Sequence, residues 1–337
     1  MQAATAIMPA KAYPLISKSE HLLEDMDLTD RAGDSLLVTD QAGACAAEWV
    51  GEHRNAILSR VSDSGWVLLR GLNVMDTSGF RACIDALDIP LVDHYGDLPM
   101  MPTDDGITGV FNVTKYPAKN SILFHNEGSH TSAPPRHIFF QCTQAAPQGG
   151  ETPLSDCNKV LTALPEEIKE QLSKRGLLYK RNFIAGLDVT WQKYFGTSDR
   201  EAVESLCARQ GVVAHWRSGD RLSTEYFRPA VISHPDRDMD VFFNQVLLHH
   251  PACLEPSVRS AMNSMLKGED FPRNVCFGDG TPIPDDWIAE ILRAHLRAAM
   301  VFHWMPGDII VADNYAVAHA RRPYVGSRQH HVILGRG

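Results

Sequence analysis

The sequence predicts a mainly β fold with flanking helices, built around a jelly-roll core, and three observations point there. Short apolar runs bounded by Gly, Pro or Asp recur, as in Gly65-Trp66-Val67-Leu68-Leu69-Arg70-Gly71 and Pro306-Gly307-Asp308-Ile309-Ile310-Val311. Such runs read as short buried strands. Helical periodicity is confined to separate stretches between them, near 43–61, 80–87, 165–174, 198–209 and 285–300. No internal repeat, low-complexity tract or linker divides the 337 residues. One β-rich domain over 1–337 with inserted helices is therefore expected.

Taken in order, residues 1–35 are polar and irregular and are expected to form an N-terminal arm. Trp49, Ile57, Leu58 and Val61 give 43–61 one apolar helical face. The glycine-bounded strand 65–71 follows, then an amphipathic helix from Phe80 to Leu87. Residues 95–120, rich in Pro, Gly, Asp and Thr, read as a loop able to order over a site. Strands are expected at 122–124, 137–142 and, after Gly149-Gly150, at 151–156. Pro165 opens a helix that Gly176 stops. Ser198-x-x-Glu201 is a capping-box signal for a helix to about Arg209, and 183–200 is a second segment expected to bear on selectivity. Strand-like segments recur at 228–232 and 241–244. The 285–300 helix carries Trp287, Ile288, Ile291, Leu292, His295, Leu296 and Ala299 on one face. Strands at 309–311 and about 330–334 close the chain.

Composition bounds the function. An apolar fraction of 44% with 22% charged residues is that of a soluble globular protein. The net charge of -9 argues against a nucleic-acid surface. The odd, scattered set of 7 cysteines lacks any C-x-x-C, which fits reduced thiols in a cytoplasm better than disulfides or a zinc ribbon. The first residues show no charged n-region followed by a long apolar stretch, so no signal peptide is expected. No apolar run reaches the roughly 18 residues of a membrane span.

Chemistry concentrates at His125-Asn126-Glu127, just after the apolar Ile122-Leu123-Phe124. Residues i and i+2 of a strand share a face, so an imidazole and a carboxylate would project together. His319, downstream in Asp313-Asn314-Tyr315-Ala316-Val317-Ala318-His319, is the expected third ligand. Two histidines and one carboxylate with open positions is the arrangement of non-haem Fe(II) oxygenases. A zinc hydrolase can use the same set, and a jelly-roll binding protein without catalysis is a third reading. His249, His250, His330 and His331 compete with His319, but adjacent strand residues point to opposite faces. His130, three residues past Glu127, is expected to face away. The turn at 322–327 would return Arg328 beside the His319 segment. A guanidinium there could pair the far carboxylate of a buried 2-oxo acid, and Thr152 could add a hydroxyl. Arg321, Arg322 and Arg336 are its rivals, and Arg321 is also a candidate substrate contact.

His125-Asn126-Glu127, Gln148-Gly149-Gly150-Glu151-Thr152-Pro153-Leu154-Ser155-Asp156, Phe243-Asn244-Gln245 and Asp313-Asn314…His319-Ala320-Arg321…Gly326-Ser327-Arg328 occur in family order. Together they resemble the taurine dioxygenase-like (TauD/TfdA) Fe(II)/2-oxoglutarate-dependent oxygenases, most closely the branch similar to syringomycin-pathway hydroxylases. The resemblance covers Gly65 to the C-terminus. It implies a double-stranded β-helix, iron held by His125, Glu127 and His319, and 2-oxoglutarate anchored by Thr152 and Arg328. Phe242 and Asn244 would line the substrate pocket by the same analogy. It further implies that 2-oxoglutarate and O2 are cosubstrates for oxidation of an unactivated C–H bond. The substrate would be a small molecule, an amino acid or amino-acid-derived intermediate, free or tethered to a carrier protein. Hydroxylation is the default outcome; desaturation or cyclisation would use the same residues. Glu127 fills the place a halide would need, so halogenation is not expected. Taurine dioxygenase carries a further arginine on its last strand for an anionic substrate. Here that region is His330-His331-Val332-Ile333-Leu334, which argues against a sulfonate.

Overall fold

The computed structural model describes residues 23, 36–38, 45–92, 101–103, 105–113, 116–267 and 270–336. The expected arm over 1–35 lies outside these, apart from Leu23, which is buried against the core. So does part of the 95–120 loop.

Two sheets organise the molecule. The larger has seven strands in the order Leu36–Val38, Trp66–Arg70, Ile309–Asp313, His137–Gln144, Gln329–Gly335, Phe111–Asn112 and Met101–Pro102. Only its first pairing is parallel. The smaller orders Ala299–Met300, Leu154–Asp156, Val317–Arg321 and Ile122–His125, all antiparallel. This is the expected jelly roll with flanking helices.

Period-2 alternation sorts the apolar residues onto the two faces of each sheet. Trp66, Leu68, Phe140, Ile310, Ala312, Val332 and Leu334 enter the core between the sheets. Their neighbours Val67, Leu69, Phe139, Ile309, Val311 and Ile333 belong to a second cluster beneath the helices Ala46–Glu52, Arg54–Ser64 and Thr77–Asp85. Covered on both sides, these strands read as continuous apolar runs, which is why the sequence shows them so clearly. Across the smaller sheet, Phe124, Ala318 and Ala320 pack in a cluster with residues of the helices Cys157–Ala163, Glu166–Arg175 and Asp285–Ala298. Val317 therefore turns the other way, into the inter-sheet core, and His319 shares that face. There the Phe140 ring meets the His319 ring edge-on at 5.2 Å.

Several expected elements shift. The 43–61 helix is two, because the chain breaks at His53 between Glu52 and Arg54. The second helix starts earlier, at Thr77, where Asp76 accepts the Gly79 N–H. Asp199 rather than Ser198 caps the helix Arg200–Gln210, accepting from the N–H groups of Glu201 and Ala202. Residues 299–300 leave the last helix to pair with Ser155 and Leu154. A further antiparallel sheet, Val213–Arg217, Arg221–Arg228, Leu177–Phe183 and Arg273–Phe277, packs beside the jelly roll.

Candidate metal centre

His125 ends its strand, and in the neighbouring strand His319 is its direct register partner. Their rings lie 4.1 Å apart between centroids. Glu127 is not in the strand; it sits in the turn that follows. The same-face argument for positions 125 and 127 is thus corrected: a turn, not strand geometry, brings the carboxylate round. Glu127 Oε2 is 3.8 Å from Nε2 of His125 and 3.8 Å from Nε2 of His319. All three ligand atoms lie within 4.8 Å of one another.

That turn is held by two buried asparagines that the sequence reading passed over. Glu127 N–H donates to Asn314 Oδ1 at 2.7 Å, and Asn314 Nδ2 donates back to Glu127 O at 2.9 Å. The same Nδ2 reaches Pro135 O at 2.8 Å. Asn126 Nδ2 donates to Asn314 O at 2.7 Å and Val317 O at 3.2 Å, while its Oδ1 accepts from Asn244 N–H. Both side chains are fully buried, where an unmet amide would be costly. Beneath Asn314, Asp313 pairs with Arg136 at 2.9 Å and with His234 at 3.0 Å. The only sequence signal for this support was Asp313-Asn314 following an apolar strand.

The chemistry of the donor set fits a divalent metal. Burial holds the His125 and His319 imidazoles below the ordinary histidine range, so both are neutral and offer a lone pair. His125 Nδ1 is 2.8 Å from Leu123 O, which places its proton there and leaves Nε2 facing Glu127. His319 Nδ1 is buried with no partner among the described residues.

Arg328 lies immediately before the strand Gln329–Gly335, and its Nε donates to Gly150 O at 2.9 Å. Gly149 and Gly150 both have positive φ; a Cβ at Gly149 would stand 2.1 Å from Pro323 O. This close approach puts Gly150 O under the guanidinium. Thr152 sits just ahead of its strand, Leu154–Asp156, rather than within one as expected. Its Oγ1 accepts from Arg328 Nη2 at 3.4 Å and from Trp304 Nε1 at 3.1 Å. Among the described residues Arg328 has no carboxylate partner. Burial, with Arg321 nearby, brings its pKa down from 12.5 to about 10. A cation so placed fits an anion.

Each of the three expected substrate contacts is engaged with other groups of the protein. Phe242 is 1% exposed, inside the core, with its ring 5.9 Å from that of His295. Asn244 is spent on Ala230 O and Val246 N–H. Arg321 donates to the carbonyls of Tyr116, Pro117 and Asn120, tying down the described end of the 95–120 loop. His130, expected to face away, stands with its ring 5.1 Å from that of His249 and 5.7 Å from that of Tyr179.

A family model described as Taurine catabolism dioxygenase TauD, TfdA family, matches residues 45–334. The dapdiamide synthesis protein DdaC of Enterobacter agglomerans is 32% identical over 95% of this chain and 93% of its own. A clavaminate synthase-like protein of Arabidopsis thaliana is 27% identical, over 79% of this chain and 80% of its own. Among solved structures, PvcB, an Fe, alpha-ketoglutarate dependent oxygenase from an isonitrile synthetic pathway, superposes with a TM-score of 0.50 at 16% identity. The overlap covers 89% of this chain and 85% of PvcB, and shows a shared fold.

Proposed function

The chain belongs to the TauD, TfdA family of dioxygenases, and from that premise we propose that His125, Glu127 and His319 hold its Fe(II), with Arg328 and Thr152 on the far carboxylate of 2-oxoglutarate. The protein is a non-haem Fe(II)/2-oxoglutarate-dependent oxygenase acting on a small molecule in amino-acid-derived biosynthesis. Bound Fe(II), with 2-oxoglutarate and O2, supplies oxidation of an unactivated C–H bond and releases succinate and CO2. The observation that carries the residue assignment is the convergence of two neutral imidazoles and one carboxylate beside Glu127's clamped turn.

The residues divide the work. His125 and His319 present lone pairs from adjacent strands, and Leu123 O fixes the tautomer of the first. Asn314 holds the Glu127 backbone and Asn126 ties the turn to Asn314 O and Val317 O, so the Glu127 carboxylate stays on the metal side. Arg328 supplies charge, and Thr152, whose oxygen already accepts from Trp304 and Arg328, has its proton left to donate. A zinc hydrolase has no use for that pair. We further propose hydroxylation of an amino-acid-derived substrate, free or carrier-tethered, by one oxygenase domain in the reducing cytoplasm. The cysteines are all free, and among the described residues no helix is long and apolar enough to cross a membrane.

Anaerobic titration of the Fe(II)-loaded protein with 2-oxoglutarate tests the centre, with a visible charge-transfer band expected. Admission of O2 with a panel of free and carrier-bound aminoacyl compounds should then yield succinate in step with oxidised product. No band, or succinate that never couples to product on either panel, overturns the assignment.

A further inference from the structure

A cavity of ≈ 270 Å³ opens between the turn at 130–133, the strand Leu177–Phe183, Tyr226 and the end of the helix Arg200–Gln210. It is separate from the anion anchor at Arg328, and one residue links it to the metal turn. Gln245 Nε2 donates to Asn126 O at 3.0 Å, its backbone N–H donates to Tyr179 Oη at 2.9 Å, and its Oε1 is 3.3 Å from His249 Nε2. Tyr179 and His249 are two of the cavity's walls, and His130, three residues beyond Glu127, is a third. Gln245 thus bonds both to two of the cavity's walls and to the backbone of Asn126, inside the H-x-E segment.

Its lining is aromatic. Rings of His130, Tyr179, Tyr194, Phe195, Tyr226 and His249 surround the space. Rings recognise flat groups by stacking and edge contacts. The volume is that of about nine liquid waters and near the lower end of ligand pockets, which run to about 300 Å³ and above. One ring-sized group fits. The cations at the wall are already paired: Lys180 with Glu225 at 3.1 Å and Arg181 with Asp188 at 3.0 Å. Arg181 also lies over the Tyr194 ring at 4.3 Å. Each of these cations thus already carries a carboxylate partner, which weakens its pull on an entering sulfonate or carboxylate.

We propose that this cavity receives the end of the substrate remote from the oxidised carbon, and that this end is flat and uncharged, an aromatic ring or an amide plane. The inference rests on the oxygenase reading of the adjoining metal centre and deepens it to a substrate class. The same pairing disfavours taurine-like anions.

Calorimetric titration of the anaerobic Fe(II)- and 2-oxoglutarate-loaded protein with N-acetyl-L-phenylalanine amide, against taurine and L-glutamate, tests this. The amide binds and the two anions do not. Val212→Trp and Ala133→Trp, which fill the cavity from different walls, each weaken amide binding about tenfold or more, a difference of about 1.4 kcal/mol. Both retain the 2-oxoglutarate charge-transfer band; Ala133 is exposed, so its variant keeps the test open should Val212→Trp misfold. Amide binding unchanged in both variants, no amide binding to the wild type, or tighter binding of taurine overturns the proposal. Failure of the wild type to form the band is a separate result and strikes at the metal centre itself.

Discussion

Asn314 pairs with Glu127 as a strand neighbour would, giving one acceptor at 2.7 Å and one donor at 2.9 Å to its backbone, although the two are 187 positions apart. The clamp replaces the strand pairing that ends at His125. Asn314→Ala removes the side chain that bonds Glu127 N–H, Glu127 O and Pro135 O. Supporting residues of metal sites commonly alter affinity by about 10–100-fold when removed. We expect Asn314→Ala to weaken Co(II) or Fe(II) binding by at least the lower of these figures, with a lowered Tm. Wild-type metal affinity in this variant, measured calorimetrically, would show that Glu127 is placed without the clamp.

What the sequence could and could not reveal follows the range of the forces. As candidates, His125, Glu127, His319, Thr152 and Arg328 are legible because their chemistry is in the side chain and their order along the chain is enough to suggest a site. Asn126 and Asn314 were not, because an asparagine acting on a distant backbone looks like any turn residue. The apolar strands 66–70 and 309–313 announced themselves through burial on both faces. Leu177–Phe183 stayed hidden because Lys180 and Arg181 interrupt its apolar pattern, and their partners Glu225 and Asp188 become visible only in three dimensions. The cap at Asp199 missed by one residue for a simpler reason: serine and aspartate cap about equally well.

The Thr152 hydroxyl is oriented by its neighbours. With Trp304 and Arg328 both donating to its oxygen, its proton is the group left for an anion. Thr152→Val is expected to weaken 2-oxoglutarate binding about tenfold, the loss of a hydrogen bond to a charged group. Trp304→Phe should give a smaller loss that vanishes in the Thr152→Val background. An additive double-mutant cycle would mean that Trp304 acts on binding by some route other than this hydroxyl.

Arg328 separates stability from binding. Its guanidinium is partly buried with no carboxylate partner among the described residues, and burial disfavours its charge. Arg328→Met should therefore leave the Tm of the cosubstrate-free protein unchanged or raised. The same variant should lose 2-oxoglutarate affinity by about 100-fold, as expected for a charge-assisted bidentate contact of about 3 kcal/mol. A large drop in Tm without cosubstrate would identify Arg328 as a structural residue. Unchanged affinity would move the anion site to Arg321 or Arg336.

Buried neutral histidines should make the fold acid-sensitive. Burial lowers the pKa of His250 from 6.5 to about 4 and that of His295 from 6.5 to about 3. Both are below the unfolded value, so the unfolded chain binds more protons throughout the window between. Their contribution is complete above about pH 6.5 and drains away as pH falls toward the folded values. By about pH 5 each would cost about 2 kcal/mol relative to neutral pH. Urea unfolding of the metal-free protein at the two pH values checks this, and keeps metal release out of the comparison. His295→Phe can retain the stack on Phe124, now 5.0 Å between centroids, while removing the titrating group. It should flatten the pH dependence by about one histidine's share, whatever it does to absolute stability through the lost Ser155 contact. A variant with the full wild-type pH dependence would mean that His295 does not titrate between the folded and unfolded states.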